Sequence, residues 1–344
     1  MKNRGVLIRG ISAAVAMLVM ILDAKTAVSS AQEGMQLCIR TVIPSLFPFF
    51  VLSGLINSCL LGQRISILRP LRKFCKIPEG TESLLVLGFL AGYPVGAQLI
   101  AQSYRNGKLS AITARRMLGF CNNVGPAFLF GMLSPLFTRT STVWVLWGIQ
   151  IASSLITAYI LPVKTTEITH FSPSAPVSFP DTLQNAIRSM ASVCGWVIIF
   201  RVILGFCNRW FMWLFPIGTQ VLFSGTLELA NGCISLQKIP QQGLRFLLAG
   251  TMLSFGGLCV GMQTASVTGN IGTGWYFPGK VLQTTLTILL SILTEPLIFQ
   301  GDTAIRYSPA IMVAIAFMLS ITIFIVRRKK VVAFPGELLY NTGN

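Results

Sequence analysis

Apolar runs of about 17–25 residues, the length a helix needs to cross a bilayer, recur along the chain at 7–22, 41–60, 117–137, 143–162, 184–206, 244–266, 281–299 and 309–326. Two further runs, 84–103 and 211–231, are apolar but punctuated. The first holds Gly88, Gly92, Pro94 and Gly96; the second holds Pro216, Gly218, Gly225 and Glu228, with Gly232 directly after it. Interrupted backbone is tolerated in the apolar layer only where protein or a wet cavity shields it. Both runs therefore predict buried re-entrant hairpins inside an all-α polytopic membrane protein with discontinuous helices.

Composition sharpens this picture. Charged residues make up 11% of the 344, against about 25% in a soluble globular chain, so there is too little polar surface for a water-soluble body. The net charge of +17 does not mark a nucleic-acid partner, because the basic residues lie mostly between the apolar runs and no soluble scaffold carries them. The lipid bilayer is the expected partner. The eight cysteines form no CxxC pair and several stand within apolar stretches, where Cys behaves as a small hydrophobe. With His170 as the single histidine, no metal site is expected. No GxxxxGK[ST] or GxSxG sequence occurs, so neither an ATPase engine nor a serine hydrolase is expected; the chain is read as a non-enzyme without a cofactor.

Short cytoplasmic loops collect Lys and Arg. By that rule the N-terminus, the 61–80 loop (Arg64, Arg69, Arg72, Lys73, Lys76), the 104–116 loop (Arg105, Lys108, Arg115, Arg116) and the tail Arg327-Arg328-Lys329-Lys330 share the cytoplasmic side. Residues 61–80 and 104–116 share a side only if 84–103 returns to where it started. The path then runs inward through 41–60, outward through 117–137, inward through 143–162 and outward through 184–206. Run 211–231 dips in from the outer side, and 244–266, 281–299 and 309–326 complete the path. Residues 1–31 also fit a signal peptide, with a basic start, an apolar core at 10–22 and small residues at VSSA; the uncleaved first span is the expectation carried forward.

The order of features occurs twice. TVIPSLFPFFVLSGL at 41–55 and NAIRSMASVCGWVII at 185–199 open each half, a broken apolar run follows, and LGFCNNVGP at 118–126 corresponds to LSFGGLCVG at 253–261. Expected divisions are 1–37 (first span and connector), 38–162 (first repeat), 163–182 (linker), 183–326 (second repeat) and 327–344 (basic cytoplasmic tail). Because 41–60 and 184–206 run in opposite directions, the repeats are inverted. That is a common architecture of secondary transporters, in which the substrate site forms near the midplane between the repeats. The alternative is a pair of Gly-rich helix clusters packed closely through small residues.

Candidate chemistry sits at the interruptions. Gly92, Pro94 and Gly96 form a turn with Tyr93 and Gln98, able to turn carbonyls and helix-end N–H groups toward a ligand. Asn122 and Asn123, followed by Gly125 and Pro126, put two amides in an apolar run where they need partners. The matching stretch holds Gly256 and Gly257, then Gln263 and Ser266. Glu228, with Asn231 and Gly232, is an acid within an apolar segment and hence a functional candidate by default, for a coupling ion (Na+ or H+) or for substrate. Glu295 is a second, less specific buried acid. Arg188 and Arg201 are candidate contacts for an anion, or snorkel to the interface.

Ile43-Pro44-Ser45-Leu46-Phe47-Pro48-Phe49-Phe50, Gly92-Tyr93-Pro94-Val95-Gly96-Ala97 and Phe120-Cys121-Asn122-Asn123-Val124-Gly125-Pro126 resemble the sporulation integral membrane proteins of the YlbJ type, which contain nucleoside-recognition (Gate) domains. Such domains are similar to pieces of the concentrative nucleoside transporters, and Glu228 and Asn231 resemble the Glu and Asn of the second Gate copy. The resemblance spans about residues 38–325. It implies a secondary transporter in the bacterial cell membrane, mother-cell or outer forespore, that moves a small anionic aromatic metabolite, dipicolinate, during sporulation. Transport of a nucleoside or other small metabolite, or a non-transporting scaffold for spore assembly, are the alternatives. A homo-oligomer or sporulation membrane partners would fit any of them.

Overall fold

A backbone in hydrocarbon must satisfy its own N–H and C=O groups, and helices do so within one segment. The computed structural model describes residues 2–163, 178–299, 318–324 and 326. Most of the linker expected at 163–182, most of the last span at 309–326, the tail and His170 lie outside the described residues. The helices are α1 (Lys2–Leu22), α2 (Ala24–Leu37), α3 (Ile43–Leu60), α4 (Arg69–Cys75), α5 (Glu82–Leu90), α6 (Val95–Arg105), α7 (Ala111–Met117), α8 (Pro126–Leu133), α9 (Ser141–Ile160), α10 (Phe179–Trp210), α11 (Ile217–Leu227), α12 (Leu229–Ser235), α13 (Gln242–Phe255), α14 (Gly257–Thr268) and α15 (Tyr276–Ile298). No strand occurs among the described residues. Five helical runs are long and apolar enough to cross a membrane: Ala24–Leu60, Ser141–Ile160, Phe179–Trp210, Gln242–Ile271 and Tyr276–Ile298. The protein is an all-α polytopic membrane protein.

Three expected spans take a different form. Residues 41–60 are the second part of a 37-residue run that begins at Ala24, joined through a π-helical turn at Cys38–Val42. The stretch read as a connector is helical because its small face (Ala27, Ser30, Gly34) packs on α10. Gly34 faces the Ile198 backbone, and Gly205 faces Ser30. Residues 117–137 do not form one helix. α7 stops at Met117 and α8 starts at Pro126, with non-helical backbone at Asn122–Gly125. Span 244–266 is likewise broken, at Gly256 and Gly257, both with φ of 82°.

A few polar contacts define the two ends of the molecule. Arg116, 6% exposed, donates through Nη2 to the carbonyls of Cys75 at 2.9 Å and Ala158 at 2.5 Å, and through Nη1 to that of Lys76 at 3.2 Å. The guanidinium thus gathers the C-terminal turns of α4 and α9, where cations are favoured. Arg115 reaches the Ile271 carbonyl at 3.0 Å, and Arg105 the Val267 carbonyl at 3.1 Å. Residues 75–76, 105, 115–116, 158 and 267–271 therefore share one end. At another point Arg245 joins the carbonyls of Leu136 and Ile239, where α8, α12 and the start of α13 meet.

α5 and α6 are about 14 and 16 Å long at 1.5 Å per residue, too short to cross about 30 Å of hydrocarbon. They pack on each other, enter beside Gly62, whose N–H meets the Gly80 carbonyl at 2.9 Å, and leave at Arg105. α3 descends to the arginine-rich end, α7 and α8 climb away from it, and α9 returns. α10 runs antiparallel to α2 and α3, with Arg209 on Asp23 at 2.7 Å, Arg201 on Glu33, and the Cys38 thiol on the Cys194 carbonyl at 3.8 Å. α13 and α14 then descend to Ile271, and α15 climbs from there.

Cysteines placed at Gln63 and at Asn106 in a background without native thiols should react with an impermeant maleimide from the same side of sealed vesicles. Reaction from opposite faces would overturn the hairpin path of 82–105.

Candidate functional site

The helix interruptions lie against each other. At Gly92, φ is 85°, a conformation that favours glycine, and a Cβ there would stand 2.9 Å from the Gly125 nitrogen. The turn between α5 and α6 thus presses on the turn between α7 and α8; Pro94 closes the first turn and Pro126 opens α8. Gly96 lies against the Cys121 carbonyl. In the second half Gly232 backs onto Gly225, and a Cβ on Gly257 would lie 3.0 Å from the Gly225 carbonyl oxygen. The halves touch where the Tyr93 ring covers Gly256, with Cζ 3.1 Å from the site of a Cβ.

Where these turns converge, a half-open cleft is lined by Tyr93, Gly125, Glu228 and Gln263 and closed by apolar side chains including Leu46, Phe128, Val193 and Val197. Three of the expected polar ligands, Tyr93, Glu228 and Gln263, thus meet in one place. Glu228 is 3% exposed and stands between α11 and α12. Its carboxylate accepts from the N–H of Ala230 at 3.1 Å, the N–H of Asn231 at 2.7 Å and the Asn231 side chain at 2.7 Å. Asn231 therefore serves Glu228 rather than facing the cleft. Gln263 donates to the Cys259 sulfur at 3.3 Å.

The other candidates stand elsewhere. Asn122 accepts from the Ala97 N–H at 3.3 Å and donates to Thr264 Oγ1 at 3.0 Å, tying α6 to α14. Asn123 donates to the Phe120 carbonyl at 2.7 Å and to Ser154 Oγ at 3.2 Å. Gln98 faces a separate recess between α3, α6 and α10, with Gln102 and Asn185. Ser266 is exposed and accepts from Trp196 Nε1 at 3.2 Å. Arg188 is exposed, and Arg201 pairs with Glu33; neither lines the cleft. No group of three or more metal-ligating side chains occurs among the described residues.

Lys280 is absent from the sequence-based candidates. It is fully buried and donates to Tyr93 Oη at 2.9 Å, Gln283 Oε1 at 2.8 Å and Asn123 Oδ1 at 3.3 Å. Gln283 donates to the same Asn123 oxygen at 2.9 Å. Tyr93 in turn donates to the Leu253 carbonyl at 3.1 Å. A signal for this group existed: Lys280, Gln283, Thr287, Ser291 and Glu295 recur every three or four residues, one face of a helix, and all are buried. A span read at 281–299 leaves Lys280 as a flanking charge.

The chain is similar to the sporulation integral membrane protein YlbJ of Bacillus subtilis (strain 168), with 22% identity over 320 residues and 78% of each chain covered. No family profile and no solved structure matches it.

Glu228→Ala should lower the stability of the detergent-solubilised protein by about 1–2 kcal/mol, the loss of a helix cap. Glu228→Gln, which keeps one acceptor oxygen, should cost less. Thermal unfolding followed by tryptophan fluorescence checks both, and an unchanged midpoint for the alanine variant would show that the cap carries no weight. Gly92→Ala should also lower the midpoint, because its φ is costly for any residue with a Cβ.

Proposed function

We propose that the chain is a YlbJ-like secondary transporter that carries a small anionic metabolite across a bacterial membrane during sporulation. The observation that carries this reading is the convergence of helix interruptions from both halves of the chain on one cleft that holds Glu228. Exposed irregular backbone at membrane depth is costly, and a scaffold has no use for four such turns around a common space. A transporter uses them to present polar groups to cargo and to hinge.

The order of helices supports two gate-like repeats, about 38–162 and 183–326. A long helix, two interrupted helix pairs and a long helix occur as α3, α5/α6, α7/α8, α9 and again as α10, α11/α12, α13/α14, α15. The first series starts toward the arginine-rich end and the second starts away from it, which suits inverted repeats and rocking of one half against the other. Glu228 is the coupling group in this scheme: it takes up a proton or a Na+ when the cleft faces one side and releases it on the other. The cargo implied by the family resemblance is dipicolinate, and the membrane is the mother-cell or outer forespore membrane.

Proteoliposomes with an imposed Na+ gradient, an imposed H+ gradient or none should take up labelled dipicolinate saturably, and a nucleoside panel run alongside tests the alternative cargo. Glu228→Gln should reduce uptake or abolish its gradient dependence while leaving folded protein at normal abundance. No flux of any compound by folded, inserted protein would favour a scaffold, and unchanged coupling in the Gln variant would remove Glu228 from the mechanism.

A further inference from the structure

We infer that Lys280 and the Tyr93 hydroxyl form a carboxylate-binding site at the wall of the cleft, so that cargo is selected for negative charge. Lys280 lies on a membrane-spanning helix and is fully buried. A cation in that position is costly and marks function by default, and a buried charge needs a partner of opposite sign or a full set of hydrogen bonds. Its three partners, Tyr93, Gln283 and Asn123, are all neutral. Among the described residues no carboxylate pairs with it.

Tyr93 connects this amine to the cleft. Tyr93 lines the cleft, the Lys280 nitrogen stands 4.9 Å from its ring centroid, and its hydroxyl both accepts from Lys280 and donates to the Leu253 carbonyl. A carboxylate entering the cleft competes with that carbonyl for the hydroxyl proton, with an ammonium directly behind the oxygen. Hydrogen bonds that involve ionised groups are shorter and roughly twice as strong as neutral ones. Glu228, on the same cleft, already takes three hydrogen bonds from Ala230 and Asn231 and leaves Lys280 to the cargo. An anion at Tyr93 is then held between a hydroxyl backed by Lys280 and the acidic Glu228, and it binds best when Glu228 carries its proton or cation, which ties the charge of the cargo to the coupling ion.

The inference deepens the transport reading and rests on the same cleft, yet it concerns binding and can be tested without flux. The test is thermal stabilisation of the purified full-length protein by pyridine-2,6-dicarboxylate and by its neutral analogue, pyridine-2,6-dicarboxamide. The wild type should respond to the dicarboxylate at concentrations about tenfold or more below those needed for the diamide, as expected for a charged hydrogen bond. Lys280→Gln should erase that preference while changing the response to the diamide by less than about twofold. Equal responses of the wild type to both probes, no response to either, or a preserved preference in Lys280→Gln would overturn the site. Should Lys280→Gln fail to fold, Tyr93→Phe should weaken the dicarboxylate response alone; equal loss for both probes would show a purely structural hydroxyl. Charge-selective binding through Lys280 without uptake keeps the site and sinks transport, whereas uptake with unchanged charge preference in Lys280→Gln sinks the site alone.

Discussion

The cost of an unsatisfied peptide group in hydrocarbon governs this molecule. Every turn that interrupts a helix frees N–H and C=O groups, and each must find a partner or be walled off by protein. The chain meets this demand by stacking its interruptions. The Gly92 turn lies on Gly125, Gly257 lies on the Gly225 carbonyl, and the Tyr93 ring covers Gly256. Asn122 supplies an acceptor for the Ala97 N–H, and Asn123 and Ser154 share the Phe120 carbonyl. The four turns thus shield one another's backbone.

The same economy explains the arginine-rich end. Arg116 is buried where three backbone carbonyls converge at the ends of α4 and α9, and it stacks over Phe120 at 5.2 Å. Its charge serves helix ends rather than solvent. The polar seam of α9, α13 and α15 works alike: Gln150 donates to the Gly250 carbonyl at 3.1 Å and Thr287 to Ser153 at 2.9 Å. Interhelical hydrogen bonds of this kind hold spans together where no hydrophobic drive exists between them.

Single prolines, such as Pro48 in α3 and Pro296 in α15, stay within a helix, but much of this fold can be read from the sequence where glycine and proline cluster within an apolar run. The hairpin at 84–103 follows from four such residues together with the arginines on either side. The helical character of 24–37 escapes a hydropathy window, since α2 is amphipathic and its small face matters only once α10 is opposite. The paired amides were legible as costly but not in their role: the residues that satisfy Asn122 and Asn123 come from distant helices, and in the structure both amides bond to protein. Gln263 and Ser266 lie within one turn of α14, yet Gln263 is buried at the cleft while Ser266 is exposed and accepts from Trp196. Lys280 escaped because a charge at the edge of a window reads as an anchor, whereas α15 begins four residues earlier, at Tyr276.

One contact has a bearing on hydration. The Tyr93 hydroxyl of the first half caps the Leu253 carbonyl of the second, in the last turn of α13. A carboxylate that draws the hydroxyl away has no proton to return to that carbonyl, and neither does any lipid chain. Water can replace it. In the proposed scheme, each movement of Tyr93 toward an anion would admit solvent to the seam between the halves, and the cycle would have a water stoichiometry as well as an ionic one.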